Sequence, residues 1–144
     1  PPPPPSGTPP PTTSSVTPPP APACTFRQLA ITALRGGAAL GTEIAALVFR
    51  NRSANTCRLS GYPGAQLLRG GAPVGKPASH RPQRPHPVIL RPGKRAQSRL
   101  TVRTSCNAPV ADAVRITPPG STGHADRPVR LRACASSVTP VAAG

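Results

Sequence analysis

Four cysteines, Cys24, Cys57, Cys106 and Cys134, carry the most definite chemistry in this chain. Thiols in this number either cross-link or hold a metal. Structural zinc sites supply their cysteines as close pairs, and no CxxC or CxxxC spacing occurs here. An even count in a small, Met-free chain argues instead for two disulfides, and so for an oxidising compartment outside the cytoplasm. Four cysteines allow three pairings.

Arginine is the second chemistry on offer. Every charged residue falls within 24–144, where only Glu43, Asp112 and Asp126 are acidic and only Lys76 and Lys94 are lysine. The net charge of +15 is therefore carried almost entirely by guanidinium groups. A GC-rich genome favours Arg over Lys, which is a compositional alternative for much of this charge. Even so, a field of one sign attracts polyanions. Arg81, Arg84, His86, Arg91, Lys94 and Arg95 lie in a stretch without acids and predict a cationic rim for phosphate or carboxylate groups. Arg99, Arg103, Arg115, Arg130 and Arg132 fall at outward positions of alternating segments and predict a basic sheet face. The bland alternative is a solvated surface that keeps the domain soluble and blunts edge pairing.

Catalytic patterns are scarce. His80 and His86 sit in a Pro-rich segment beside Arg81 and Arg84, which repel cations, so no metal site and no cofactor are expected. A Ser/His/acid hydrolase would need Asp112 or Asp126 to orient a histidine, with His124 and Asp126 the nearest pair. No Gly-x-Ser-x-Gly elbow is present, and three acids leave little for paired-carboxylate chemistry. Gly36 to Gly41 lacks the Gly-Lys-Ser/Thr of a phosphate loop and reads as a flexible turn. With only Phe26, Phe49 and Tyr62 as aromatics, at least two of them expected in the core, single-stranded nucleic acid is a disfavoured partner. The Pro-rich segment 81–87 also resembles, weakly, a PxxP docking peptide.

Short alternating segments must position these groups, the signature of an all-β domain. Leu29, Ile31 and Ala33 alternate with polar or small neighbours until Gly36-Gly37, expected to break the strand. Ile44 to Phe49 reads as a central strand buried on both faces. Ala65 to Leu68 precedes a Gly70-Gly71 hairpin turn, and 77–87 reads as a loop or edge segment. Val88 and Leu90 lead to Arg91-Pro92-Gly93-Lys94, arranged as a type II turn. Ala96, Ser98, Leu100 and Val102 then alternate with polar residues, as do Val114 and Ile116, and Val129 and Leu131. The expectation is an immunoglobulin-like β-sandwich over 24–144, with seven or eight short antiparallel strands.

Hairpin symmetry favours one disulfide pairing. Folding 28–34 onto 43–50 about residue 40 brings Cys24 and Cys57 to one open end. Folding 113–117 onto 129–133 about Pro118-Pro119-Gly120 leaves Cys106 and Cys134 equidistant from the turn. Each bridge would close a loop of about 30 residues, worth roughly 3–4 kcal/mol.

Residues 1–23 hold 12 of the 24 prolines and no charge. Such a segment has nothing to bury, and is expected to be a disordered, extended stalk of roughly 70 Å. Its Thr12, Thr13, Ser14, Ser15 and Thr17 are candidates for O-linked sugars. A chain that opens on Pro1 and lacks Met is expected to have lost a signal peptide or membrane anchor. No apolar run reaches the roughly 18 residues of a membrane span.

Asn51-x-Ser53, Cys57-x-Leu59-x-Gly61-Tyr62-Pro63-Gly64, Leu90-x-Pro92-Gly93-x-x-Ala96 and Thr117-Pro118-Pro119-Gly120 together resemble a known family. It is the exported actinobacterial group catalogued as domain of unknown function 4232, and the likeness spans roughly 24–142. The resemblance implies a secreted or envelope β-sandwich, often behind a signal peptide or lipobox and a Pro/Thr-rich linker. It implies no activity.

These observations predict a monomeric, non-enzymatic binding or scaffold domain, secreted or anchored on the outer side of the cell envelope. Its arginines would contact anionic cell-wall or lipid components. The alternative is a protein–protein module of an envelope assembly, using a sheet edge or an apolar patch, with a hydrolase as a remote third.

Overall fold

The computed structural model describes residues 21–144, so nearly all of the stalk expected over 1–23 lies outside them. The described part is all-β. Twelve strands form: β1 (Leu29–Ala39), β2 (Thr42–Asn51), β3 (Cys57–Leu59), β4 (Gly64–Arg69), β5 (Ala72–Pro73), β6 (Ser79–His80), β7 (Val88–Leu90), β8 (Arg95–Arg103), β9 (Val110–Thr117), β10 (Ala125–Arg132), β11 (Ser136–Val138) and β12 (Ala142–Ala143). The larger sheet runs β1-β2-β8-β11-β6, with β12 also on β8; the smaller runs β10-β9-β4-β5, and β3 pairs with β7.

The expectation of seven or eight antiparallel strands is corrected on two counts. β3, β5, β6, β7, β11 and β12 are only two or three residues long, too short for alternation to reveal them all. β6 joins β11 in parallel.

β1 and β2 pair from Leu29↔Asn51 to Ala39↔Thr42. Gly36-Gly37 does not break β1. The register shifts between Arg35 and Gly37, and Gly37 takes φ 121°, a region that side chains disfavour. Glycine weakens a strand but keeps its N–H donor, so the ladder continues through a bulge. The flexible turn expected over 36–41 shrinks to Leu40-Gly41. β2 is central, but Ala45, Leu47 and Phe49 are buried while Ile44, Ala46 and Val48 are half-buried. One face of β2 meets the core and the other is only partly covered.

Both sheets feed one core. Leu29, Ile31, Leu47, Phe49, Leu100 and Val102 come from the larger sheet. Leu67, Val114, Ile116, Val129 and Leu131 come from the smaller. Burying each such side chain contributes about 1.5–3 kcal/mol. Phe49 is fully buried, whereas Phe26 and Tyr62 are half-buried at the margin, so the core holds one aromatic rather than two.

Two disulfides cross-link the described residues. Cys24 bonds Cys57 across 4.8 Å between Cα atoms, and Cys106 bonds Cys134 across 5.8 Å. These are the pairs that hairpin symmetry favours. Among the described residues no helix is long and apolar enough to cross a membrane.

Candidate anion-binding surfaces

Each of the three acids is already engaged. Glu43 accepts a hydrogen bond from Arg35 at 2.7 Å and one from the backbone of Arg132 at 3.4 Å. Asp112 accepts the N–H of Gly70 at 3.0 Å, tying β9 to the β4–β5 turn. Asp126 accepts from Arg115 at 2.9 and 3.2 Å. Two ion pairs therefore form among the described residues, at Arg35–Glu43 and Arg115–Asp126. The other arginines and lysines form no ion pair among the described residues.

The Arg115–Asp126 pair gives an acid-sensitive contribution. Its hydrogen bond and the positive charge of Arg115, His124 and Arg127 hold the Asp126 carboxyl below its ordinary range. A lowered folded-state pKa stabilises above the unfolded value, near 3.9 for aspartate, and the contribution disappears as pH falls through the folded value. Arg115→Ser should thus be slightly less stable than the parent in urea at neutral pH. The two curves should converge near pH 2. A gap unchanged between the two conditions would show that Arg115 acts through packing instead.

The expected rim forms in part. Pro92-Gly93 makes a tight turn, with Gly93 at φ 84° and the N–H of Lys94 bonded to Arg91 O at 2.9 Å. The turn is fastened to the end of β2, since Asn51 donates to Lys94 O and Gly93 donates to Asn51 O. Arg91, Lys94 and Arg95 consequently border one depression of about 570 Å³ over Val88 and Ile89. Arg84 and His86 border a second of about 320 Å³, and the two share Val88 and Ala143. No acid lines either.

Arg81 is elsewhere. Its N–H bonds Val138 O at 2.9 Å and so extends the β6–β11 pairing, while the chain leaves the sheet at Pro82. Tyr62 holds this departure. Its hydroxyl lies within hydrogen-bond reach of the Arg81 and Gln83 carbonyls, and its ring stacks on His80 at 4.1 Å. Arg81 accordingly lines a different cleft, with Arg103, on the outer face of the larger sheet. That cleft joins residues far apart in sequence, from Leu40 to Ser137.

The single basic sheet face does not form. Arg99 and Arg103 lie on β8 of the larger sheet, whereas Arg115, Arg130 and Arg132 lie on β9 and β10 of the smaller. Period-two alternation says which residues share a face within a strand, not which sheet the strand joins. For the hydrolase alternative, Asp126 gives both carboxylate oxygens to Arg115 rather than orienting His124. Among the described residues no three His, Cys, Asp or Glu side chains gather as a metal site would require.

Residues 24–143 match the family model for the domain of unknown function DUF4232. The chain belongs to that family. No curated protein and no solved structure matches the chain. Two disulfides in this DUF4232 domain are consistent with an extracytoplasmic location.

Proposed function

We propose that this DUF4232 domain is a non-enzymatic binding or scaffold module outside the cytoplasm, secreted or anchored at the envelope, that contacts anionic cell-wall or lipid components. In this reading its architecture is an immunoglobulin-like sandwich, supported by two mainly antiparallel sheets around one core. The observation that carries the function is the rim: five basic side chains border two adjoining depressions without an acid among the lining residues. Exposed Ile89 and the half-buried Val88 give that rim an apolar floor, which suits an interface where charge and apolar surface meet.

Vesicles containing phosphatidylserine test this. Wild-type binding should collapse between roughly 0.05 and 0.5 M salt, as screening shortens. Arg84→Ser, Arg91→Ser and Arg95→Ser combined should weaken partitioning about 100-fold at low salt, at about 1 kcal/mol per lost charge near the surface. Unchanged partitioning would remove the rim from the proposal.

A second reading has one observation in its favour. β1 is an edge strand whose Leu34 is 59% exposed, and Leu40 beside it is fully exposed. A protein partner adding a strand there would bind through backbone hydrogen bonds and apolar contact, with little response to salt. Arg127 works against this at one point, since its Nε donates to Ile31 O at 2.6 Å.

A further inference from the structure

Strand register alone aligns a second set of groups. Thr101 of β8 lies opposite Ser137 of β11, and Ser137 lies beside Ser79 of β6. Paired residues project from the same face, so three hydroxyls form a row across three strands, about 4.8 Å from one to the next. Two residues beyond Thr101, Arg103 shares this face and lies opposite Thr42 of β2. Two residues beyond Ser79 comes Arg81. Because β8 runs antiparallel to β11 and β6 runs parallel to it, these steps go in opposite directions. The two arginines therefore flank the hydroxyl row from opposite ends, and both line one cleft of about 470 Å³.

The chemistry of the lining selects a ligand class. Six of its eleven residues are Ser or Thr, and no acid or aromatic is among them. Without acids the cleft has no attraction for cations, and without aromatics it offers nothing for a base to stack on. Neither arginine is in an ion pair, since those among the described residues use Arg35 and Arg115. Guanidinium groups only donate, which suits phosphate oxygens. Hydroxyls both donate and accept, which suits other hydroxyls. Ser79 already donates to Ser136 O at 3.1 Å and so presents its lone pairs outward. The volume lies within the ordinary range for ligand sites.

We infer that this cleft binds a polyol phosphodiester, with Arg81 and Arg103 on the phosphate and the Thr101–Ser137–Ser79 row on the polyol hydroxyls. The site is separate from the rim and does not depend on it. Such a diester occurs both as a lipid headgroup and as a water-soluble or polymeric unit.

Glycerophosphoglycerol, titrated into the full chain and followed by amide NMR, tests the inference. It should bind at least tenfold tighter than inorganic phosphate and shift the signals of Ser79, Thr101, Arg103 and Ser137. Arg81→Ser with Arg103→Ser should lower that affinity at least tenfold. Thr101→Val with Ser137→Ala, mild changes on a strand face, should reduce it to the level of inorganic phosphate while leaving phosphate binding intact. Equal affinity for the diester and inorganic phosphate, or shifts confined to Arg84, Arg91 and Arg95, overturns the inference. Vesicles then separate the sources. A preference for phosphatidylglycerol over phosphatidic acid at matched charge, lost in the hydroxyl variant, assigns the lipid headgroup. Soluble binding without that preference assigns the free or polymeric diester.

Discussion

Replacing Cys24 and Cys57 together with alanine is expected to lower stability by about 3–4 kcal/mol, and the thermal midpoint by roughly 10–20 °C. The bridge spans 33 residues, so its removal returns the closure entropy of a long loop to the unfolded chain. It also releases a seam. Cys24 donates to Arg58 O and Arg58 donates to Pro22 O, both at 2.8 Å, so the segment entering β1 is stitched to β3 beside the disulfide. Both half-cystines are buried, and alanine leaves space the neighbours must fill. With Phe49 as the one fully buried aromatic, the core has little with which to offset the loss. Alanine at Cys106 and Cys134 is the comparison. The span of 28 residues gives a similar entropic part, but Cys106 is exposed and loses less packing. Calorimetry should therefore rank the first pair above the second. A change below about 1 kcal/mol for Cys24 and Cys57 would show that packing alone holds this domain.

Much of the core was legible because alternation is a local property. Leu29 and Ile31, Ala96, Ser98, Leu100 and Val102, Val114 and Ile116, and Val129 and Leu131 all face inward as their spacing predicts. Pro128 sits within β10 where the register shifts, so a residue that cannot donate is absorbed by a bulge instead of ending the strand. The errors share a cause. Gly36-Gly37 is a stop signal only if the ladder has nothing else to hold it, and β2 supplies ten residues of pairing. β6 and β11 have no periodicity of their own; β11 pairs with β8, and β6 pairs in turn with β11.

The same limit explains the binding surfaces. Arg91, Lys94 and Arg95 were legible as a cluster because one tight turn carries all three. Proximity in sequence groups Arg81 with them, yet its N–H bond to Val138 O sends it to another surface. The cleft that it lines draws on residues between Leu40 and Ser137, brought together by cross-strand register that no local pattern contains. Outward Thr101 and Arg103 on β8 were the available signal, and Ser137 and Ser79 had none.

Asn51 joins stability to the rim, and its replacement is the second large effect expected. It is fully buried, and every polar atom of its side chain is used. Nδ2 donates to Asn55 O and Leu90 O, both at 2.8 Å, while Oδ1 accepts from the N–H of Ser53 at 2.9 Å and its hydroxyl at 2.7 Å. Asn51→Ala removes the side-chain donor to the buried Leu90 carbonyl and the acceptor of Ser53, and should cost about 2–4 kcal/mol. Asn51→Asp keeps the shape but turns a carboxylate oxygen toward two carbonyls, which raises its folded-state pKa above the unfolded value. The stability deficit of that variant should hence be largest at neutral pH and shrink as pH falls and the carboxyl regains a proton to donate. Because the Asn51 side chain also holds Leu90 O, next to the Arg91 that opens the turn, either variant should weaken vesicle binding at the rim while leaving phosphodiester binding in the cleft unchanged. Urea titrations of Asn51→Asp at pH 4 and pH 7 check the sign, and a deficit that grows toward low pH would refute the assigned hydrogen-bond directions.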